Sequence, residues 1–399
     1  MTYPRYVENI IERLENAGET AYIVGGSLRD ILLGTTPHDY DVTTSALPET
    51  TTKIFGDMRV IQTGIKHGTV TVISDSHPIE VTTFRIDGDY TDSRHPDKVS
   101  FTDDVTADLA RRDFTVNAMA YSNSRGLKDP FGGRDDLKRR ILRAVGDAEA
   151  RFTEDALRIM RLFRFCAQLG FDIESSTLDR AYRKRAGLSK VARERIGHEF
   201  ERLVTSPSPT RALSLMRDGG IFEYVLGNYV PADKIIERIS LMPADNYARL
   251  GFLLSEADTD SARTVLRELR CSGKLTTGAL AVIKGSKTSI CSASDARRLI
   301  ADTGIYTYAA ACASELLGNS PAGAAELTRI QQNTPCSLKE LKINGKDLAE
   351  MGVRGKRIGE ILDALLRHVI DTPEDNKREI LLRLAAEIIE REGNDDGRA

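Results

Sequence analysis

The stretch GGSLRDILLGTTPHDYDVTT (25–44) decides how this chain reads. It follows the β-branched run AYIV, so Gly25-Gly26-Ser27 reads as a turn that leaves a strand and opens a helix. Leu33-Gly34 ends that helix, glycine being favoured just past a helix C-terminus, and Thr36-Pro37 forces a turn. Tyr40–Thr44 then reads as a second strand. Side chains two apart on a strand share a face, so Asp39 and Asp41 are expected to project together. Two carboxylates that close repel each other, and at neutral pH they need a proton or a cation between them. Hard oxygen ligands on a rigid strand suit Mg²⁺, and a pair of such ions would orient a nucleoside triphosphate and activate an attacking hydroxyl. The glycine turn supplies the complementary half. Backbone N–H groups at a helix start, with Gly26 at the turn and Arg29 adding charge, suit a triphosphate. Taken singly, each half also fits a bland reading, a tight turn for the glycines and a solvated strand end for the acids.

Working outward, the first ~150 residues alternate strand-like runs (21–26, 68–73, 79–84) with helical patterns at Tyr6–Ala17, Ser27–Leu33 and Pro48–Phe55. From Glu149 onward Phe152, Leu157, Met160, Phe163, Cys166 and Ala167 recur at helical spacing, and helix follows helix to about residue 391. The fold class is therefore α+β: a mixed-sheet head at 1–148, a helical neck at 149–206, a helical body at 207–310 and a helical tail at 311–399. Glu80, in the run IEVTTF, is a candidate third carboxylate. The last residues, EGNDDGRA, are polar enough to be expected disordered.

Composition narrows the function. A chain of 399 residues exceeds one ordinary core. Its formal charge of −3 excludes a polycation, so a nucleic-acid surface must come from local basic patches. The five cysteines are scattered without a CxxC pair, which argues against structural zinc and disulfides and suits a reducing compartment. No 18-residue apolar run occurs, so no membrane partner is expected and the location expected is the cytoplasm.

Together these motifs are similar to those of a known family. GGSLRDILLGTTPHDYDVTT resembles the catalytic motif of the nucleotidyltransferase superfamily that holds tRNA CCA-adding enzymes and bacterial poly(A) polymerases. RRDFTVNAMAY (111–121), DPFGGRDDLKRRILRAVG (129–146), EDALRIMRLFRF (154–165) and SKVARERIGHEFERLV (189–204) resemble its following motifs in order. LKINGKDLAEMGVRGKRIGEIL (341–362) looks like the tail of bacterial CCA-adding enzymes.

Asp155 and Arg158 stand i, i+3 in a helical pattern. A surface ion pair is one reading. Yet Asp only accepts and Arg only donates, and cytosine and adenine share an amino donor beside a ring-nitrogen acceptor that uracil and guanine lack. The resemblance implies that this pair reads the incoming base. It also implies that Arg161 and Arg164 belong to the nucleotide pocket and that Arg112 contacts the nucleotide, with Asp113 and Asn117 as candidate ribose partners. Asp129–Gly133 reads as a turn, with a hinge between head and neck as its use. RIDGDYTDSRHPDKVSF (85–101) is a polar loop that, in the family, is thought to assist the change from CTP to ATP. GVRGKRIG (352–359) is either a phosphate contact or a helix–helix turn, and the basic run 181–195 could line an RNA path. The histidines show no metal spacing, and the only His-Asp dipeptide lies within the catalytic motif, so no added HD-type phosphohydrolase is expected.

The function expected is template-independent addition of CCA to the tRNA 3′ end from CTP and ATP, with Mg²⁺ held by Asp39 and Asp41. The alternatives are a poly(A) polymerase, a partial enzyme adding only A or only CC, and a non-catalytic tRNA-binding protein.

Overall fold

The computed structural model describes residues 1–87 and 99–395. The chain separates into two compact units, Met1–Val230 and Pro231–Ala399.

The first unit opens with α1 (Arg5–Asn16), whose Val7, Ile10, Ile11 and Leu14 recur at helical spacing and are buried. Seven strands form one mixed sheet: β1 (Ala21–Val24), β2 (Asp41–Thr44), β3 (Arg59–Ile61), β4 (Thr69–Ser74), β5 (His77–Thr83), β8 (Ala120–Ser122) and β9 (Gly126–Lys128). The spatial order is β3-β4-β5-β2-β1-β8-β9. A separate two-stranded ladder joins β6 (Arg85–Asp87) to β7 (Val99–Phe101). The polar loop expected at 85–101 is thus corrected at its two ends, which form this ladder, and its middle, 88–98, lies outside the described residues.

β1 sits inside the sheet and is buried throughout, which is why it reads as a continuous apolar run. It pairs antiparallel with β2, Val24 opposite Asp41. β2 runs parallel to β5 in a register that sets Asp41 opposite Glu80. Val42, Thr43 and Thr44 are buried, and their strand carries Asp41 at its end. Helix α2 (Gly25–Leu32) starts directly on β1, two residues before the expected Ser27. Gly34, at φ +77°, ends it as expected.

Helices α3 (Pro48–Ile54) and α4 (Val105–Ala110) complete the head's upper part. α5 (Gly133–Arg139) follows the Asp129–Gly133 turn, where the Asp129 carboxylate accepts from the Gly133 and Arg134 amides at 2.7 and 2.9 Å. From there the unit is helical: α6 (Ala148–Glu154), α7 (Leu157–Leu169), α8 (Ser175–Lys184), α9 (Arg193–Val204), α10 (Pro209–Asp218) and α11 (Phe222–Leu226). α7 is buried along most of its length and packs against α9 and α10.

The second unit contains only helices among the described residues, with apolar cores around Leu348, Ile361 and Leu365 and around Ile290, Leu299 and Ala310. The short helices Phe222–Leu226 and Gly345–Glu350 are too brief to show a period in sequence. At the other end, the expected disorder of EGNDDGRA is corrected in part: the last helix runs from Arg378 to Asp395, so its backbone continues through the first residues of that tail. Residues 396–399 lie outside the description.

Candidate active site

One cavity of about 760 Å³ in the first unit is lined by Gly26, Arg29, Asp39, Asp41, Arg112, Asp155, Arg158, Arg161 and Arg164, together with Gly25, Asp113 and Asn117. All of these residues therefore reach one space, from segments over a hundred positions apart, with the candidate third carboxylate as the exception. Glu80 opens instead onto a smaller neighbouring cavity of about 260 Å³, shared with Asp41, Arg111 and Arg112.

The floor is the glycine turn. Gly25 has φ +72°, a conformation L side chains rarely adopt, and a Cβ there would lie 3.2 Å from Arg112 Nη1. Ser27 fastens the turn: its hydroxyl donates to the Val24 carbonyl at 2.9 Å and accepts a long contact from the Asp41 amide at 3.5 Å. The acid pair differs from the strand expectation in one respect. Asp41 begins β2, but Asp39 stands on a bend before it, so strand alternation is not what joins them. The chain shows no turn at Thr36-Pro37; a bend at His38-Asp39 precedes β2, and Asp39 still lines the same cavity.

The surroundings of Asp41 oppose a bare negative charge. The Asp41 carboxyl is pushed up to about 6, first by the desolvation its crowded surroundings impose even though the residue stays exposed to the cavity, then by Glu80, with a further rise from Asp39 and an opposing pull from Arg112. Among the described residues no group of three or more His, Cys, Asp or Glu is gathered closely enough to hold a metal alone. Two carboxylates beside a cradle for phosphates fit a hard ion whose remaining ligands are substrate oxygens and water.

The walls are an arginine network. Asp113 lies almost wholly buried, and its Oδ2 accepts from Arg161 Nε and Nη2 at 2.8 and 2.6 Å. Its Oδ1 accepts from the Phe114 amide and from Asn117 Nδ2, and Asn117 Oδ1 in turn accepts from Arg29 Nη1 at 2.8 Å. Burial works against the Asp113 charge, but Arg161 and Asn117 outweigh it and hold the carboxyl down at about 2. Arg29 is buried and also paired with Asp30 at 2.7 Å. Arg164 pairs with Glu199 at 2.5 Å. Three guanidinium groups, those of Arg29, Arg161 and Arg164, stand 5.3, 5.4 and 4.0 Å from the centre of the Phe165 ring, whose quadrupole offsets part of their mutual repulsion.

The Asp155–Arg158 geometry also needs correction. The two do not share a helix face. Asp155 stands in extended backbone between α6 and α7, and its Oδ1 accepts from the Leu157 amide at 3.0 Å, capping the helix start. Its Oδ2 accepts from Arg195 on α9 at 3.2 Å. Arg158 is held by Glu154 Oε2 at 2.8 Å and by the carbonyls of Arg151 and Arg111. Arg112 itself follows α4 and is succeeded by a single 3₁₀ turn, Thr115–Asn117. Arg202, Gln168 and Phe165 are among the lining residues that motif reading did not assign, Glu199 is the unassigned partner of Arg164, and Arg195, read only as part of a basic run for an RNA path, instead holds Asp155. Arg195 and Glu199 stood in the quoted run SKVARERIGHEF, but nothing local names their partners.

A mixed sheet carrying a glycine turn and paired acids, closed by an arginine-rich helical wall, defines a nucleotidyltransferase. Family comparison agrees: the poly(A) polymerase head domain matches residues 21–143, the probable RNA- and SrmB-binding site of polymerase A matches 170–231, and the putative second domain of tRNA nucleotidyltransferase matches 246–385. The CCA-adding enzyme of Lactiplantibacillus plantarum is 36% identical, with 94% of each chain covered. That of Leuconostoc mesenteroides is 44% identical over 60% of this chain and 59% of its own. The crystal structure of the Bacillus stearothermophilus CCA-adding enzyme in complex with CTP superposes with a TM-score of 0.84 at 32% identity, covering all of both chains. The chain belongs to the CCA-adding enzyme family. Nucleotidyltransferases generally use divalent metal ions. No described helix is long and apolar enough to cross a membrane.

Proposed function

We propose that this protein adds C, C and A to the 3′ end of tRNA from CTP and ATP, releasing pyrophosphate, without a nucleic-acid template. The observation that carries the reading is the single cavity joining the Gly25–Gly26 turn, Asp39 and Asp41, and Asp155 and Arg158.

The Gly26 amide region, Arg29 and Arg112 hold and orient the triphosphate. Asp39 and Asp41 hold Mg²⁺, which when bound supplies charge neutralisation of the phosphates and activation of the acceptor hydroxyl. The tRNA 3′-oxygen attacks the α-phosphorus in line, the bond to the β-phosphate bridging oxygen breaks, and pyrophosphate leaves. Base choice falls to Asp155 and Arg158. Arg158 has five N–H donors, of which its contacts to Glu154, Arg151 and Arg111 use three. Two remain for an acceptor on the base, and Asp155 retains lone pairs for an amino group. Cytosine and adenine satisfy both, whereas uracil and guanine leave buried polar groups unpaired. Arg161 and Arg164, braced by Asp113 and Glu199, form the rest of the base-side wall.

In this reading residues 149–206 are the neck, 207–310 the body and 311–399 the tail that grips tRNA, with GVRGKRIG and the basic run 181–195 as phosphate contacts. None of the five cysteines is in a disulfide, which suits the reducing cytoplasm.

The test is direct. The protein is given a tRNA transcript lacking CCA, with Mg²⁺ and each nucleotide singly and combined. Addition of C, C and A followed by arrest is the expected outcome. Long A tails on unrelated RNA would establish a poly(A) polymerase instead, addition of A alone or CC alone a partial enzyme, and no incorporation a binding protein.

A further inference from the structure

Asp108 is wholly buried, on α4, and nothing in the motif reading used it. Its two carboxylate oxygens gather donors from four residues on three segments. Oδ1 accepts from Arg111 Nε at 2.9 Å and from the Arg85 amide at 3.3 Å. Oδ2 accepts from Arg112 Nη2 at 3.2 Å and from the Thr43 hydroxyl at 3.3 Å. Thr43 belongs to β2, the strand that starts at Asp41. Among the described residues Asp108 is the carboxylate within ion-pair distance of Arg112, while Asp41 feels the same charge from further off; the opposite nitrogen, Nη1, is the atom that would stand 3.2 Å from a Cβ on Gly25. The guanidinium thus spans from Asp108 to the glycine turn.

We infer that Asp108 is a positioning residue that aims the Arg112 guanidinium at the Gly25–Gly26 turn, where the triphosphate of the incoming nucleotide lies. The inference rests on the triphosphate reading of that turn. An arginine reaching across an open cavity loses side-chain entropy when it binds an anion, and a buried carboxylate fixing one edge of the fork removes much of that cost beforehand. The second anchor, Thr43, ties the same carboxylate to the acid-bearing strand, so phosphate and acid sites keep one spacing. Burial alone would raise the Asp108 carboxyl, but Arg112 and Arg111 outweigh it and keep the group ionised.

The sign of the effect separates positioning from plain electrostatics. Asp108→Asn removes a negative charge from beside an anion site, and through-space Coulomb attraction then predicts tighter anion binding. Positioning predicts weaker binding. The probe is inorganic tripolyphosphate, titrated calorimetrically against the full-length protein, which reads the site without chemistry. Arg112→Ala is expected to weaken tripolyphosphate ~10-fold or more, and Asp108→Asn on the order of 5-fold. The double variant is expected to be no weaker than Arg112→Ala alone, because Asp108 acts through Arg112. In turnover, Asp108→Asn is expected to raise KM for CTP and ATP together while KM for tRNA stays put. Asp108→Glu keeps the charge that neutralises Arg111 and Arg112, and so keeps the fold, but moves the carboxylate by one methylene. It too is expected to weaken tripolyphosphate, and a thermal melt confirms that each variant is folded. Unchanged or tighter binding in a folded Asp108 variant overturns the inference. If Arg112→Ala leaves tripolyphosphate binding intact, the triphosphate reading itself fails.

Discussion

Asp41 is an acid of the cavity whose surroundings raise its carboxyl into a range that can be tested. Its carboxyl titrates at about 6 in the folded chain, above the ordinary aspartate value of 3.8. The metal-free folded state therefore binds more protons than the unfolded state between those values. The corresponding stability is fully present below about 3.8 and is lost as pH rises through about 6. Asp41→Asn, which cannot ionise, should thus melt higher than wild type at pH 7 in EDTA, with the gap closing toward pH 4. A gap independent of pH would mean that Asp41 does not carry this proton. At the same position Asp41→Ala should abolish incorporation while tRNA binding, read by filter retention, survives. For base choice, Arg158→Ala should raise UTP and GTP incorporation relative to CTP at least ~10-fold, since it removes the donors that reject them. Intact selectivity with a lowered Tm would reduce Arg158 to a brace for Glu154 and the Arg111 carbonyl.

At the scale of elements, the site depends on how closely α5 approaches the segment carrying Arg112. A Cβ on Gly133, the first residue of α5, would stand 2.2 Å from the Thr115 carbonyl oxygen and 2.9 Å from the Met119 side chain. Backbone cannot yield as a flexible side chain does. Gly133→Ala should therefore cost about 2 kcal/mol or more and lower Tm by roughly 5 °C, as measured by calorimetry. Because Thr115 lies three residues past Arg112, KM for both nucleotides should rise with it. An unchanged Tm would show that α5 has freedom to withdraw. The helical wall is assembled on the same principle. Phe165 packs edge-on to Phe114 at 5.8 Å while gathering three guanidinium groups, so one apolar side chain serves both the core and the cavity.

For the whole molecule, the charge balance sets how tRNA is held. A net charge of −3 leaves no general attraction for a polyanion, so affinity must come from local clusters such as the one around 181–195. If about three phosphates are neutralised, each adds about 0.9 to the salt slope, and tRNA affinity should fall ~40-fold from about 50 to about 200 mM salt. A flat salt response would exclude a phosphate-gripping surface. Replacing Arg183, Lys184 and Lys190 by Gln should flatten the slope while leaving tripolyphosphate affinity unchanged, because none of the three lines the cavity.

The sequence by itself determined the glycine turn, the identity of the acids, the mixed-sheet head and the helical remainder. These depend on local period, propensity and turn chemistry, which act over a few residues. It also named the arginines of the wall by their types and order. Only the tertiary structure decided who holds whom. Arg29 meets Asn117 across 88 positions, Arg161 meets Asp113 across 48, and Asp155 turns out to be held by Arg195 across 40. With 56 basic and 59 acidic side chains in the chain, an ion-pair partner is not a local property. Partners are chosen when packing brings groups from distant segments together and withdraws them, wholly or partly, from water, so that each must be satisfied by the donors or acceptors the fold supplies. The same rule hid Asp108: in sequence it is one more aspartate near a helix start, and burial between two arginines and the acid-bearing strand is what gives it a task.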